Sequence, residues 1–188
     1  MAAVIVFTIG HSTRTAADFI ALLQQAGVTL VGDVRSIPHS RTNPQFNTDA
    51  LRASLAAAGM SYVHLAGLGG RRRARDPPSS PNRLWRNQAF RNYADYAATP
   101  AFRAALAELE AMAARERTAI MCAEAVWWRC HRRIIADYLL ADGLEAAHLM
   151  GPGRIDPATL TPGARRLPGG GLVYDGLTVT ADGLDEDR

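Results

Sequence analysis

Short apolar runs alternate with longer stretches of helical periodicity along the first 150 residues. Strands are predicted at the apolar, partly β-branched runs, which cover residues 3–9, 28–31, 62–65, 118–122 and 145–149. Helices are predicted where apolar residues recur every three to four positions, at 15–26, 48–58, 87–98, 101–114 and 130–141. Thr15 followed by Asp18 resembles a capping box, and Gly27 and Gly59 stand where helices end.

The order of these elements predicts the fold class. Strands that alternate with helices through short links form a parallel sheet that helices cover on both faces. We therefore predict a single α/β domain over residues 1–150, with three α/β/α layers and a mostly parallel sheet of about five strands. Residues 151–188 are predicted to form an extension that packs on the same domain. Its segment L-V-Y-D-G-L-T-V, residues 172–179, predicts a hairpin that turns at Asp175-Gly176.

A long segment without periodicity separates the third strand from the helix at 87–98. Residues 66–86 contain Gly69-Gly70, the run R-R-R-A-R and three prolines, which is typical of a binding loop, a lid or a disordered segment. Residues 71–91, which we call the arginine block, contain seven arginines and one acid, Asp76. Such a block attracts phosphate groups, although a solvated loop can have the same composition.

Composition and charge narrow the classes of protein and of mechanism. The 188 residues carry a formal charge of +3, and all 21 basic residues are arginine. Because the sequence contains no lysine, a catalytic amine or a Schiff-base lysine is excluded. The chain has two cysteines, no basic and apolar leader, and no apolar run long enough to cross a bilayer. We therefore predict a cytoplasmic protein with reduced thiols and no membrane partner.

Polar and reactive residues follow four of the predicted strands. In open parallel sheets, ligands bind outside the carboxyl ends of the strands, so these residues are expected to share one pocket. The predicted substrate-binding residues are His11, Ser12, Asp33, Arg35, Gly69, Gly70 and Arg132. The predicted catalytic residues are Cys122, Glu124, Cys130 and His131. The two arginines would hold an anion, the carboxylate or the imidazole would act as general base or acid, and one thiol would be the nucleophile.

The helix that starts near Cys130 orients several of these residues. Its apolar stripe lies within residues 134–139, and His131 falls near the centre of that stripe. His131 is therefore expected to face the sheet edge, whereas Arg129 and Arg133 are expected to point to solvent. The partial positive charge at a helix amino terminus favours a Cys130 thiolate and a bound anion, and it disfavours a protonated His131.

The same residues could instead have purely structural roles. Arg35 and Arg132 could form salt bridges with neighbouring carboxylates. Cys122 could be a small core residue, and His131 could be a hydrogen-bonded core histidine. The sequence alone leaves these alternatives beside the catalytic interpretation.

Familiar catalytic and cofactor motifs do not occur in the sequence. Cys122 to Arg129 is C-x6-R, which misses the spacing of a cysteine phosphatase loop, and there is no C-x-x-C. Neither a Walker loop nor G-x-G-x-x-G is present, so no nucleotide cofactor is predicted. Cys122, Cys130 and His131 could instead hold a metal ion, but their spacing matches no standard zinc site. No cofactor and no bound metal are predicted.

Four segments around these residues resemble the domain of unknown function 488 family. They are T-I-G-H-S at residues 8–12, D-V-R-S-I-P-H-S at 33–40, Y-V-H-L-A-G-L-G-G at 62–70 and M-C-A-E-A-V-W-W-R-C-H-R-R-I-I-A at 121–136. The resemblance spans residues 4–150 and leaves out the tail after Gly151. It implies an α/β fold and a single site that contains His11, Asp33, Arg35 and the C-x-E and C-H-R motifs. It implies no substrate.

Three functions fit the predicted pocket. The first is an enzyme that acts on a small or terminal phosphate-bearing substrate related to nucleotides or nucleic acids, so its partner would be a phosphate-bearing small molecule or a nucleic-acid end. The second is a non-catalytic module that binds nucleic acid or another polyanion through the arginine block. The third is a thiol sensor in which Cys122 and Cys130 form a reversible disulfide.

Overall fold

The computed structural model describes residues 3–74 and 79–177 and contains eight strands, five α-helices and three short 3-10 helices within them. The strands are β1 (Ile5–Gly10), β2 (Leu30–Asp33), β3 (Ser61–His64), β4 (Thr118–Cys122), β5 (Glu145–Gly151), β6 (Arg154–Pro157), β7 (Arg165–Arg166) and β8 (Leu172–Val173). The helices are α1 (Ala16–Gln25), α2 (Thr48–Ala57), α3 (Gln88–Ala97), α4 (Pro100–Ala113) and α5 (Arg132–Ala141).

β1 to β5 run parallel in one sheet, and β6 adds an antiparallel edge to it. The strand order is β3-β2-β4-β1-β5-β6, while β7 and β8 form a separate antiparallel pair. The predicted α/β fold with a mostly parallel sheet and a small C-terminal hairpin is therefore confirmed. The sheet has six strands where about five are predicted. The sequence of β6, R-I-D-P, has only four residues and a single aliphatic side chain, Ile155, and it ends in proline, which is tolerated at a sheet edge.

The C-terminal hairpin lies earlier in the sequence than predicted. Its arms are β7 and β8, and its turn runs through the glycines at 169–171, which all have positive φ. Glycine adopts this left-handed conformation without steric strain, so three consecutive glycines favour the turn here rather than at Asp175-Gly176. The second arm of the predicted hairpin covers residues 177–179, of which 178 and 179 lie outside the described residues.

Helices cover both faces of the sheet and enclose two separate cores. α1 and α2 pack on one face, where Phe19 and Leu51 are fully buried. α3, α4 and α5 pack on the other face, where Phe102 and Ile135 are fully buried. The chain therefore leaves β1 and β2 toward one face, and it leaves β4, which lies between them, toward the other. Loops that diverge in this way open a crevice at the carboxyl end of a sheet.

Residues after Gly151 contact the face that α3, α4 and α5 cover. Tyr174 is buried, and its hydroxyl donates to Oδ2 of Asp137 on α5 at 2.9 Å. The backbone N–H of Thr161 donates to Oδ1 of Asp137 at 2.8 Å. Oδ1 of Asn82 accepts from the backbone N–H of Tyr174 at 2.9 Å. These bonds tie the extension to α5 and to the segment before α3, while the sheet itself continues past residue 150 through β6.

No helix within residues 3–74 and 79–177 is both long and apolar enough to cross a membrane. The longest of them, α4, has 14 residues and carries Arg103, Glu108 and Glu110. The cytoplasmic location stays a prediction.

A pair of carboxyl groups near the end of α4 gives the fold a testable pH dependence. Burial, together with the neighbouring Asp142, raises the pKa of Glu110 to about 7. The folded state therefore holds the Glu110 proton more tightly than the unfolded state, so stability falls as the pH rises from about 4.5 to about 7. Glu110→Gln is expected to remove this fall. Because the side chain is partly exposed, the gain above pH 7 is limited to about 1 kcal/mol or less.

Urea unfolding of the wild type and of Glu110→Gln at about pH 4.5 and about pH 8 measures this effect. Glu108→Gln, at an exposed position of the same helix, controls for the loss of one negative charge. If the stability difference between wild type and Glu110→Gln were the same at both pH values, the role assigned to Glu110 would be wrong.

Candidate functional site

A cavity of about 610 Å³, which we call the site cavity, lies at the carboxyl edge of the sheet. The ends of β1, β2 and β4 and the start of α5 surround it. Eight of the eleven predicted site residues line it, namely His11, Ser12, Arg35, Gly70, Cys122, Glu124, Cys130 and His131. The other three, Asp33, Gly69 and Arg132, lie behind lining residues and contact them. Residues from the ends of β1, β2 and β4, together with Gly70 in the loop after β3, therefore line one cavity.

Asp33 and Arg35 form a buried ion pair behind one wall. Nη2 of Arg35 lies 2.6 Å from Oδ2 of Asp33, and Nε lies 2.9 Å from Oδ1. Asp33 also accepts from the Tyr62 hydroxyl at 2.8 Å, and Nη2 of Arg35 also donates to the carbonyl of Phe46 at 2.7 Å. Nη1 of Arg35 remains, 3.4 Å from Nε2 of His11. The pair fixes this wall, and Arg35 has little free hydrogen-bonding capacity for a ligand.

His11 follows β1 and stacks on Phe46, with ring centroids 4.3 Å apart. Its Nδ1 lies 2.8 Å from the carbonyl oxygen of Ser12, so Nδ1 carries the proton and Nε2 accepts from Arg35. Burial lowers the pKa of His11, and this effect outweighs the hydrogen bond to Ser12, which raises it. His11 is therefore a neutral wall residue whose acceptor nitrogen is occupied.

The end of β1 makes a tight backbone contact with the loop after β4. The N–H of His11 donates to the carbonyl of Cys122, the last residue of β4, at 2.9 Å, and the N–H of Ser12 donates to the carbonyl of Ala123 in that loop at 3.0 Å. Ser12 has a φ of 48°, a left-handed conformation that is uncommon for residues other than glycine. A Cβ on Gly10 would overlap the carbonyl oxygen of Glu124 and lie 2.7 Å from its carbonyl carbon. Glycine at position 10 therefore permits the approach of the two segments.

The Gly69-Gly70 turn packs against two side chains of the cavity. A Cβ on Gly69 would lie 2.7 Å from Oγ of Ser36, and a Cβ on Gly70 would lie 2.5 Å from Nδ1 of His131. Such distances are too short for carbon atoms, so both positions need glycine for the backbone to come this close. Oγ of Ser36 also accepts from the N–H of Arg71 at 2.9 Å. The turn therefore supports the His131 ring and the wall at Ser36.

Two thiols and an imidazole form the floor of the site cavity, and we call them the thiol–imidazole cluster. Nδ1 of His131 lies 3.6 Å from Sγ of Cys130 and 3.9 Å from Sγ of Cys122. All three atoms lie within 4.8 Å of one another. Nε2 of His131 lies 2.9 Å from the carbonyl oxygen of Val34, which can only accept, so Nε2 carries the proton. The lone pair of Nδ1 therefore faces both sulfur atoms.

Arg132 is a buried cation behind the cluster, with 1% of its surface exposed. Its Nε donates to Sγ of Cys130 at 3.3 Å, and its Nη2 donates to the carbonyl of Glu124 at 2.6 Å. No carboxylate within residues 3–74 and 79–177 forms a salt bridge with it. Burial raises the pKa of the Cys130 thiol, but the hydrogen bond from the Cys122 thiol, the contact with His131 and the Arg132 charge outweigh burial and hold that pKa well below its usual range. Cys130 thus provides the charge that balances Arg132.

The family of the chain follows from its sequence. A sequence profile described as Domain of unknown function DUF488 matches residues 15–139. The chain belongs to this family. The matched range contains Asp33, Arg35 and the whole thiol–imidazole cluster of the DUF488 protein, whereas His11 and Ser12 precede it. No curated protein and no solved structure matches the DUF488 protein, and the family description names no activity.

Two further arginines of the DUF488 protein line the site cavity, although the residues that follow the predicted strands, from which the site is predicted, do not include them. Arg71 and Arg129 both line the cavity and are exposed. Neither side chain forms a hydrogen bond or a salt bridge with the described residues. In the sequence, the only indication that they belong to the site is that each is adjacent to a predicted site residue. Arg71 follows Gly70, and Arg129 precedes Cys130.

Arg133 of the DUF488 protein does not point to solvent, so that prediction is wrong. Its guanidinium carbon lies 5.1 Å from the centre of the Trp85 ring, and its Nε donates to Oγ1 of Thr161 at 2.9 Å. Both partners come from segments far away in the sequence, and their contacts draw the arginine toward the extension. A helical projection of α5 alone contains no information about these partners.

Proposed function

We propose that this DUF488 protein is an enzyme that acts on a small phosphate-bearing molecule bound in the site cavity. The proposal rests on one observation. The exposed side chains of Arg71 and Arg129, which we call the cationic rim, line the same cavity as the reactive thiol–imidazole cluster on its floor. Among the described residues, its lining includes three arginines, three histidines and one carboxylate, Glu124. This balance of charge favours an anionic ligand, and a volume of about 610 Å³ suits a ligand of nucleotide size.

The phosphate group is assigned to Arg71 and Arg129. Guanidinium groups bind phosphate oxygens through paired N–H donors, and both of these groups are exposed at the rim with no other partner among the described residues. Arg35 and Arg132, which the sequence favours for this role, direct most of their donors to protein atoms. These two arginines are therefore assigned to holding the wall and the floor in place.

The chemical step is assigned to Glu124 and the thiol–imidazole cluster. Glu124 is exposed and lines the cavity, which suits a general base or acid. The cluster lies on the floor, where the reacting end of a ligand held at the rim would contact it. Phe90 and Tyr93 add aromatic surface to the wall, which suits a nucleobase or a similar ring.

Thermal unfolding with inorganic phosphate and a panel of mononucleotides tests the binding part of the proposal. A ligand that binds only the folded state stabilises it by RT ln(1 + [L]/Kd), about 2.7 kcal/mol at a hundredfold excess over Kd. Replacing both Arg71 and Arg129 with glutamine is expected to weaken phosphate binding at least about 100-fold, because a hydrogen bond to a charged group contributes about 1.5–3 kcal/mol.

Arg86→Gln is the matched control, because Arg86 is an exposed member of the arginine block that does not line the cavity. An unchanged phosphate-induced shift in the Arg71 and Arg129 double variant would refute the assignment. Glu124→Gln separates binding from chemistry. Glu124→Gln is expected to keep the phosphate-induced shift in thermal unfolding and to lower the rate of phosphate release from the bound substrate by about 10²–10⁴-fold.

The alternative function is a non-catalytic module that binds a polyanion through the arginine block. It predicts a different result in the same experiment. Two arginines of the block have structural contacts, since Arg72 lies 3.6 Å over the Tyr96 ring and Arg91 donates to the Trp85 carbonyl. A polyanion would contact the remaining arginines together. Arg86→Gln would then weaken binding as much as the loss of a cavity arginine, and affinity would fall steeply with salt.

A further inference from the structure

We propose that Cys122, Cys130 and His131 bind a divalent metal ion of the zinc class and leave one coordination position open to the site cavity. Zinc prefers thiolate sulfur and imidazole nitrogen, and catalytic zinc sites keep three protein ligands and one open position. The metal-binding claim stands on these three residues alone. The claim that the open position receives a substrate oxygen rests on the proposed function.

The distances within the cluster match those of a tetrahedral site. With bond lengths of about 2.3 Å to sulfur and about 2.0–2.1 Å to nitrogen, tetrahedral angles place sulfur about 3.6 Å from nitrogen and the two sulfurs about 3.8 Å apart. Nδ1 of His131 lies 3.6 Å from Sγ of Cys130 and 3.9 Å from Sγ of Cys122. Since all three atoms lie within 4.8 Å of one another, an ion could be bound with small side-chain movements.

The backbone at the start of α5 explains why sequence spacing does not reveal this site. Cys130 has an extended conformation, with φ −126° and ψ 147°, whereas the next residue, His131, is already helical. This change of conformation lets two adjacent side chains converge on one point. Cys122 reaches the same point from the end of β4, because the turn at 127–129 brings the chain back over the sheet edge.

Neighbouring groups hold the ligands in the orientation that metal binding needs. His131 donates Nε2–H to the carbonyl of Val34 at 2.9 Å, which is the second contact that metal-ligating histidines usually make. Gly70 lies against one side of the ring, and Tyr93 meets it at 5.0 Å between centroids. Nε of Arg132 donates to Sγ of Cys130 at 3.3 Å and so supports a negatively charged sulfur.

The charges of the site indicate what occupies the open position. Two thiolates neutralise a divalent ion, and binding releases the proton of Cys122 to solvent. Arg132 then adds a positive charge with no carboxylate partner among the described residues. An anionic fourth ligand, such as hydroxide or a phosphate oxygen, restores neutrality. The open position therefore favours the same ligand class as the cationic rim.

Cobalt(II) binding to the full chain, purified with a phosphine reductant and stripped with a chelator, tests the proposal directly. Tetrahedral cobalt gives strong visible absorption, and thiolate ligands add a charge-transfer band in the near ultraviolet. One cobalt per chain with both signals is expected, and one equivalent of zinc should abolish them. A weak octahedral spectrum, or saturation well below one ion per chain, would overturn the proposal.

Variants locate the ion. Cys122→Ser, Cys130→Ser and His131→Asn are each expected to lower affinity at least about 100-fold, because losing even a residue that only orients a metal ligand lowers affinity about 10- to 100-fold. His39→Ala is the matched control, because His39 is exposed and lines the cavity outside the cluster. Gly70→Ala should lower affinity about 10- to 100-fold by displacing the His131 ring while leaving every ligand present. Unchanged affinity in the three ligand variants would refute the site.

The remaining outcomes separate this proposal from the others. Thiols that stay paired as a disulfide under the reductant, with no cobalt bound, would overturn the metal site and favour the thiol sensor. Cobalt binding without any phosphate-induced shift would keep the metal site and refute the proposed function. A phosphate-induced shift that depends on Arg71 and Arg129, without cobalt binding, would refute the metal site alone.

Discussion

Asp33→Asn is expected to lower the free energy of unfolding by about 3–5 kcal/mol, because it leaves a buried positive charge without a partner. Asp33 has no exposed surface, and Arg35 is 5% exposed. The carboxylate accepts from Nε and Nη2 of Arg35 and from the Tyr62 hydroxyl. An asparagine keeps the shape of the side chain but removes the charge and offers one acceptor oxygen in place of two.

Urea unfolding followed by tryptophan fluorescence measures this loss. Adding Arg35→Met to Asp33→Asn is expected to recover part of the stability, since no unpaired charge then remains buried. Asp156→Asn, which breaks an exposed pair with Arg154, is the matched control and should leave the midpoint nearly unchanged. If Asp33→Asn cost no more than this control, the buried pair would not be holding the wall.

Gly10→Ala is expected to cost about 3 kcal/mol, the upper end of what overpacking costs. The new methyl group would overlap the carbonyl oxygen of Glu124 and lie 2.9 Å from Cα of Ala125. Both are backbone atoms, so no side-chain rotation can relieve the clash. The loop after β4 must move away from β1, which strains the backbone hydrogen bonds of His11 and Ser12.

Gly151→Ala is the matched control for this substitution, because a Cβ on Gly151 meets no atom within 4 Å and its φ is ordinary. The two variants are compared by urea unfolding and by cobalt affinity. Gly10→Ala should lower both, because the displaced loop carries the carbonyl to which Arg132 donates. Equal behaviour of the two variants would show that the contact between β1 and the loop tolerates a methyl group.

The strand ends of this chain could be located from the sequence because each strand is a short apolar run that ends at polar or glycine residues next to it in the chain. Apolar runs at residues 3–9, 28–31 and 118–122 identify β1, β2 and β4 to within about two residues at their carboxyl ends, and parallel strands bring these ends to one edge. The same reasoning explains why residues at these ends surround one cavity. It fails for β6, whose position depends on pairing with β5 and not on a pattern of its own.

The roles of the arginines depend on contacts between distant segments, which a single sequence does not contain. Arg132 is buried because Thr8 of β1, the Glu124 carbonyl and the Cys130 sulfur all accept from it. Arg71 is exposed and its side chain has no hydrogen-bond partner among the described residues, whereas its neighbour Arg72 lies over the Tyr96 ring. Adjacent arginines in one run thus have opposite environments, so composition predicts the charge of the segment but not which side chain is available to a ligand.

The left-handed backbone at Ser12 also affects how a ligand enters. Two backbone hydrogen bonds, to the carbonyls of Cys122 and Ala123, hold this turn in a conformation that serine rarely adopts, so the wall has its final shape before any ligand arrives. A preorganised wall loses little conformational entropy on binding. Association then needs no slow rearrangement of this wall, and the free and bound forms of the protein should differ mainly in the rotamers of the rim arginines.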